Sequence, residues 1–474
     1  MKIGFVSLGC PKNLVDTEVM MGQLVAHGHE LTPQPAEADV IVVNTCSFID
    51  PAKQESVDTI LEMAEYKKTG KAQRLVVAGC LVERHRTEIQ QHIPEVDAVL
   101  GTNELENITA LCEGIAPKEL ASEPYLYHDL TQRVFTTPRH SAYIKIAEGC
   151  DHPCSFCVIP QFRGQFRSRR FESVINEATR MFAMGVREIN LIGQDTTCYG
   201  EDLGLKDGLA QLLARLAGIP TELPKWIRFL YAYPNKIRPK LLETIAAHQA
   251  LVKYIDMPLQ HASRSVLKRM KRGADGDILL KLLERIRGTI PGVAIRTSMI
   301  VGFPGETEQD FEELCQFVEA ARFERLGVFS YSDEETSQSY RLDGKVDKRS
   351  IYFRKRKLMA VQRRISRAHN KRLLGTELDV LVEGSSNDTD LLWEARLSTQ
   401  APDIDGICYI NDFGPGQARP GEMRKLRVTE AHDYDVVGAL VDGPERSYRS
   451  PEAAANLFPI LPMMQERTAG LAVR

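Results

Sequence analysis

The chain has 474 residues, 43% hydrophobic and 26% charged, with 60 basic and 64 acidic side chains and a net charge of −4. That composition excludes a disordered, collagenous or membrane-spanning protein, and the length suits about three globular domains. No apolar run approaches the roughly 20 residues of a spanning helix, and the opening Met1-Lys2-Ile3-Gly4-Phe5-Val6 reads as a strand rather than a signal peptide, so the expected setting is cytoplasmic, without a membrane partner.

In residues 1–137, apolar β-rich runs at 3–8, 40–43 and 75–78 alternate with helical stretches such as 17–27 and 52–68, which predicts an α/β domain with a doubly wound parallel sheet. Each strand runs directly into a cysteine, at Cys10, Cys46 and Cys80. Ligands of open α/β sheets bind at the carboxyl ends of the strands, so the three thiols are expected along one edge. Two readings fit them: ligands of one metal cluster, or three small buried hydrophobes.

Residues 138–346 continue the alternation through six units. Strands are expected at 143–147, 188–192, 227–231, 254–257, 294–300 and 326–330, with helices at 173–184, 208–217, 239–247, 278–287 and 309–321. A full eightfold barrel takes about 250 residues, so six units predict an incomplete (β/α)6 barrel of the TIM type.

A basic linker helix is expected over 347–373, its pattern starting near 345, with Ile351, Leu358, Val361, Ile365 and Ala368 on one stripe. From 345 to 373 twelve cations face one acid, a net of +11. Residues 374–441 show short runs at 378–382, 391–395 and 407–410 between turn residues, the pattern of a small antiparallel β-barrel. Thirteen acids against five cations leave this module at −8. The tail 442–474, with four prolines and no clear period, reads as linker or partly disordered.

Ten cysteines are too few for a disulfide scaffold of this size, so their spacing points to metal or redox chemistry. Cys150-x-x-x-Cys154-x-x-Cys157 lies on the loop after the first barrel strand. Three thiolates on a four-iron cluster leave one iron open to a cofactor. A zinc site closed by His152 and three unrelated buried cysteines are the other readings.

The segment Glu148-Gly149-Cys150-Asp151-His152-Pro153-Cys154-Ser155-Phe156-Cys157 resembles the signature loop of radical S-adenosylmethionine enzymes. The resemblance implies a 4Fe–4S cluster whose open iron chelates S-adenosylmethionine and whose electron generates a 5′-deoxyadenosyl radical. It also implies that Phe156 packs near the adenine and that Gln194 and Gly302 help hold the nucleoside and methionine parts. With Cys10, Cys46 and Cys80 in an N-terminal domain and a TRAM-like barrel at the C-terminus, the chain to about Val441 is similar to methylthiotransferases. That family implies two 4Fe–4S clusters, the N-terminal one supplying or activating sulfur. One S-adenosylmethionine then gives the methyl group and a second the radical.

The family has a branch that modifies a transfer-RNA adenosine and a branch that modifies an aspartate of the decoding-centre protein, number twelve of the small ribosomal subunit. Ser7-Leu8-Gly9-Cys10-Pro11-Lys12-Asn13-Leu14-Val15-Asp16, Asn44-Thr45-Cys46-Ser47-Phe48-Ile49-Asp50, Gly193-Gln194-Asp195-Thr196 and Pro258-Leu259-Gln260-His261-Ala262-Ser263 resemble the protein-modifying branch. The implied partners are that basic ribosomal protein or the small subunit, an electron donor and a sulfur donor, with the enzyme acting as a monomer. The −8 module suits a basic protein better than RNA; the +11 helix reads either as an RNA contact or as a solvated face. A transfer-RNA enzyme and a non-catalytic zinc or electron-transfer module are the rival readings. No residue is assigned as a catalytic base, since an unactivated C–H bond offers no acidic proton. Glu335 stands where the family commonly has a flexible glycine. Cys112, Cys198, Cys315 and Cys408 match no motif and read as structural, Cys198 lying close after Gln194.

Overall fold

In the computed structural model, residues 1–116, 125–386, 389 and 391–445 are described. Strands β1 (Lys2–Ser7), β2 (Glu30–Leu31), β3 (Val40–Thr45), β4 (Arg74–Gly79) and β5 (Ala98–Leu100) form a parallel sheet in the order β2-β1-β3-β4-β5. Every residue of β3 is buried, because helices cover both faces. Ile3, Phe5, Val40 and Val42 pack with Met20, Met21 and Leu24 of the helix Pro11–Ala26. Val6, Leu8, Ile41 and Val43 turn the other way, onto Ile60 and Met63 of Asp50–Ala64 and Leu81 and Ile89 of Cys80–His92. The first helix begins six residues earlier than its apolar period suggests, because Pro11 supplies a pre-set φ at its first position.

The barrel strands are β6 (Ser141–Lys145), β9 (Glu188–Ile192), β10 (Trp226–Phe229), β11 (Tyr254–Asp256), β12 (Ala294–Val301) and β13 (Arg325–Ser330); a short hairpin, β7 (Ala147–Glu148) with β8 (Arg167–Ser168), is inserted after β6. They run parallel in two groups of three, β10-β9-β6 and β11-β12-β13, with a single bridge from Ile227 to Leu251 between them. The helices Phe171–Ala183, Gly208–Ala217, Pro239–Ala247, Gly276–Thr289 and Glu308–Ala321 pack outside. The long helix Lys348–Arg372 is not a free-standing linker: Leu358, Val361 and Ile365 belong to the barrel core, and Gln362 donates to the Phe323 carbonyl at 2.9 Å.

β14 (Glu377–Ser385), β15 (Trp393–Leu397), β16 (Cys408–Asp412), β17 (Met423–Ala431) and β18 (Val436–Leu440) close into a barrel in the order β14-β15-β16-β18-β17. It is not purely antiparallel, since β16 and β18 pair in parallel. An odd number of strands closed in a ring cannot alternate direction throughout. Of the tail, residues 446–474 lie outside the described residues, while Glu445 is fastened to Arg187 at 2.8 Å.

The two barrels are joined by buried charge. Glu188 of β9, fully buried, lies 3.1 Å from Arg228 and 2.5 Å from Arg396 of β15, and Arg396 reaches Glu383 at 2.6 Å. Burial opposes the Glu188 carboxylate, yet Arg396 and Arg228 pull its pKa down to about 2 from 4.5. A carboxylate with a depressed folded-state pKa stabilises the fold above its unfolded pKa and loses that contribution as pH falls through the folded value. Stability is therefore expected to drop as pH falls from about 4.5 towards 2, and Glu188→Ala to cost about 3–5 kcal/mol at neutral pH by leaving the buried Arg228 without a carboxylate and Arg396 with Glu383 alone. Thermal unfolding across that pH range checks both; a variant that melts with the parent chain contradicts the assignment.

Candidate active site

Three adjacent strands of the N-terminal sheet deliver Cys10, Cys46 and Cys80 to its carboxyl edge. Asn13 ties the three strand ends together. Its Nδ2 donates to the carbonyls of Leu8 at 3.1 Å and Thr45 at 2.9 Å, and its Oδ1 accepts from the Cys80 thiol at 3.5 Å. Gly9, at φ +90°, lies flat against Cys46; a Cβ there would stand 2.8 Å from the Cys46 Cβ and 3.0 Å from its Sγ. Burial, then Cys80 and Cys10, pushes the Cys46 thiol up to about 12. Burial raises Cys80 to about 11, with Arg163 pulling the other way.

Cys150, Cys154 and Cys157 occupy the loop between β7 and β8. Ser155 pins it on two sides: its N–H and hydroxyl donate to the carbonyls of Met270 (3.1 Å) and Arg269 (2.8 Å), and its carbonyl accepts from the Ser339 N–H at 2.8 Å. Burial raises Cys150 to about 11 and Cys157 to about 12. Arg272 Nη1 stands 3.8 Å from Cys154 Sγ. Buried thiols of this kind stay protonated until a metal ion displaces the proton.

A buried ion network joins the two trios. Lys145 Nζ lies 2.5 Å from Asp16 and 2.6 Å from Glu148; Arg163 Nη1 lies 2.8 Å from Asp16 and 3.3 Å from Glu148. Burial works against the Glu148 carboxylate, but Lys145 and Arg163 hold its pKa at about 2. Arg163 Nη2 donates to Asn13 Oδ1 and, at 3.1 Å, to Cys80 Sγ. Cys80 also packs on Val158, the residue after Cys157. The sheet edge that carries Cys80 thus packs directly against the segment that follows Cys157. Lys12, next to Cys10 and Pro11, lies 3.4 Å above the ring of Tyr231, just past the end of β10.

Gln194 follows β9 and donates to Glu148 Oε1 at 2.5 Å, while its own Oε1 is buried with no partner among the described residues. Phe156 is half-buried against the barrel core. Gly302, after β12, backs onto Ile351 of the long helix, and its N–H is taken by Glu306. His152 does not turn to the cysteines: its Nε2 meets Asp195 at 2.6 Å and its ring stacks on Tyr233 at 3.7 Å. Cys198 also donates to Asp195, at 3.0 Å, so His152, Asp195 and Cys198 form a separate donor set. Cys112, Cys315 and Cys408 are buried. Glu335 is exposed and absent from the residues with positive φ, so its loop does not need glycine. Its neighbour Glu334 is buried, 2.9 Å from Lys53 and 3.0 Å from Arg84, and fastens the loop to the N-terminal domain. Asn13, Asp16, Lys145, Arg163 and Arg272 match no ligand pattern in the sequence; the nearness of Asn13 and Asp16 to Cys10, and of Lys145 and Arg163 to the cysteine loop, is the signal that could have found four of them.

Comparison with known proteins gives three family matches: an uncharacterized protein family, UPF0004, over residues 2–101, the Radical SAM superfamily over 144–318, and the TRAM domain over 374–441. The protein described as ribosomal protein uS12 methylthiotransferase RimO of Solibacter usitatus (strain Ellin6076) is 74% identical, covering 93% of this chain and 95% of its own. The protein of the same description in Koribacter versatilis (strain Ellin345) is 57% identical, covering 93% and 96%. Among solved structures, the radical S-adenosylmethionine methyltransferase TsrM of Kitasatospora setae, with cobalamin and a [4Fe-4S] cluster bound, aligns with a TM-score of 0.50 at 15% identity, over 69% of this chain and 74% of that one. That likeness concerns the fold.

Arg163→Ala removes both a partner of two buried carboxylates and the donor to Cys80. It is expected to cost about 3–5 kcal/mol of stability in the metal-free protein, read by thermal unfolding; a loss below about 1 kcal/mol speaks against the network as the joint between the domains.

Proposed function

The chain belongs to the family of ribosomal protein uS12 methylthiotransferases, and we propose that it inserts sulfur at the β-carbon of an aspartate in that protein and methylates it, working in the cytoplasm. The observation that carries this reading is that the edge holding one cysteine trio packs on the segment holding the other, with Arg163 bonded to Cys80 and Cys80 packed beside Val158, the residue after Cys157.

The donor sets fit the implied groups. Cys150, Cys154 and Cys157 would hold one 4Fe–4S cluster and Cys10, Cys46 and Cys80 a second, each leaving one iron without a protein ligand. The orphaned Gln194 Oε1 offers an acceptor at the strand end where S-adenosylmethionine would lie, and Phe156, half-buried against the barrel core, would supply an apolar face. When bound, these groups supply one-electron activation of a C–H bond, together with the sulfur and the methyl group. The protein's own contribution is placement and electrostatics. Arg163 puts a positive charge against Cys80, and Arg272 does the same beside Cys154, which favours their thiolate forms against the cost of burial. Glu148 orients the Gln194 amide, and Lys145 fixes Glu148. Lys12 and Tyr231 pack across the gap on the side of Cys10 and help exclude water. The reading requires a low-potential electron donor and a sulfur donor.

Anaerobic reconstitution is expected to give about eight irons per chain. Cys154→Ala should abolish S-adenosylmethionine cleavage. Cys46→Ala should keep cleavage but halve the iron and stop methylthiolation, followed by mass spectrometry of the substrate. Equal loss of cleavage in both variants refutes the division of labour, and a mass gain confined to transfer RNA refutes the substrate.

A further inference from the structure

The cations of the long helix divide into two groups. Along it Lys357 meets Glu312 at 3.0 Å, Arg364 meets Glu319 at 3.0 Å, and Arg363 and Arg367 both lie 3.8 Å from Asp433, while Lys371 and Arg372 at its C-terminal end are exposed. In its first half Arg354 is turned inward to Glu306 and Glu308. The exposed Lys348, Arg349, Lys355 and Arg356 have no carboxylate partner among the described residues. Between them stand two aromatic rings in contact, Tyr352 and Phe353, 5.7 Å apart between centroids and 55% and 52% exposed. Residues 349, 352, 353 and 356 follow the i, i+3, i+4, i+7 spacing of one helix face. Arg349 lies 5.7 Å from the Phe353 ring and Arg356 5.5 Å from that of Tyr352.

A helix that only needed solubility would not leave two adjacent rings in water. Unpaired cations interleaved with exposed rings are the combination that grips a nucleic-acid strand, cations on phosphates and rings on bases. Neither a basic protein nor a second copy of this cationic face complements it. The face also borders the barrel mouth, since Ile351 backs Gly302, and Lys345 reaches the carbonyl of Ser339, whose N–H pins Ser155 of the cysteine loop.

We propose that Lys348, Arg349, Tyr352, Phe353, Lys355 and Arg356 form an RNA-binding face that holds single-stranded ribosomal RNA beside the active-site mouth. Resting on the function proposed above, this means that the substrate protein is taken in its RNA-bound state in the small subunit rather than free.

The test uses the reconstituted full chain and a fluorescein-labelled single-stranded oligouridylate, read by anisotropy at several salt concentrations. Lys348→Glu/Arg349→Glu should weaken binding at least about tenfold and flatten the slope of log Kd against log salt by about 1.4 or more, about 0.7 for each phosphate that the variant no longer neutralises. Tyr352→Ala/Phe353→Ala should weaken it by about tenfold or more with the slope retained. The control Lys240→Glu/Lys281→Glu, on exposed barrel helices, should change neither. Equal weakening in the control, or binding only to phosphatidylglycerol vesicles, overturns the proposal. In turnover, the two helix variants should lose at least about tenfold in rate on intact small subunits and nothing on free substrate protein. Equal rates on both substrates for parent and variants overturn the proposal. No turnover of either substrate by the parent refutes the function and leaves the RNA measurement to stand by itself.

Discussion

Everything the site can do depends on four buried charges, Asp16, Lys145, Glu148 and Arg163, that lock the N-terminal sheet edge onto the barrel mouth. Burying such a set adds little net stability, because desolvation offsets most of the attraction. What it supplies is register. Asp16 comes from the first helix of one domain, Lys145 and Glu148 from the first strands of another, and Arg163 from the end of the cysteine loop. A slip of one residue at this joint would leave uncompensated charge in a dry interior, so only one alignment of the two domains is tolerated. Arg163 then carries that alignment to the chemistry through its bonds to Asn13 and Cys80.

The same joint explains why the two trios use different local devices. The loop trio is made by short spacing in sequence, with Ser155 clamping it to Met270, Arg269 and Ser339. The sheet trio has no such loop; parallel pairing of β1, β3 and β4 sets strand ends side by side, and the side chain of Asn13 spans them. Gly9 and Gly79, both at positive φ, let the backbone turn sharply enough for thiols to follow directly on strands, where a side chain would strike Cys46 or Asn44.

Much of this was legible in the sequence because it rests on local pattern. Apolar runs ending in cysteine give strands ending in cysteine, and helical periods at 208–217 and 239–247 match the helices found. What was hidden depends on tertiary contact. β17 does not read as an alternating strand because Arg424, completely buried and held by Asp442, occupies an inward position where the alternation calls for an apolar residue. β18 carries Gly438 inward, pressed against Leu426. The network residues are single polar side chains, with Asn13 and Arg163 lying 150 positions apart, and no spacing rule could have gathered Asn13, Asp16, Lys145 and Arg163. The long helix showed its apolar stripe, but not that the stripe completes the barrel core.

Regional charge illustrates the same limit from the other side. The count of −8 for the small barrel overstates its outward field, since Glu383 faces His140 and Arg396, Asp405 faces Tyr254 and Arg296, and Asp433 faces two arginines of the long helix. The +11 of the helix shrinks likewise, since Arg354, Lys357, Arg363, Arg364 and Arg367 face carboxylates, while the exposed Lys348, Arg349, Lys355 and Arg356 keep their charge. A steering field is set by the charges left over after pairing, not by those counted. The molecule therefore presents a concentrated cationic and aromatic face near the mouth and a small barrel whose acids are in part paired, some within the barrel and some with its neighbours. On the RNA-binding proposal, a basic protein embedded in RNA would offer its RNA to that cationic face and its own cations to the acids the small barrel leaves unpaired.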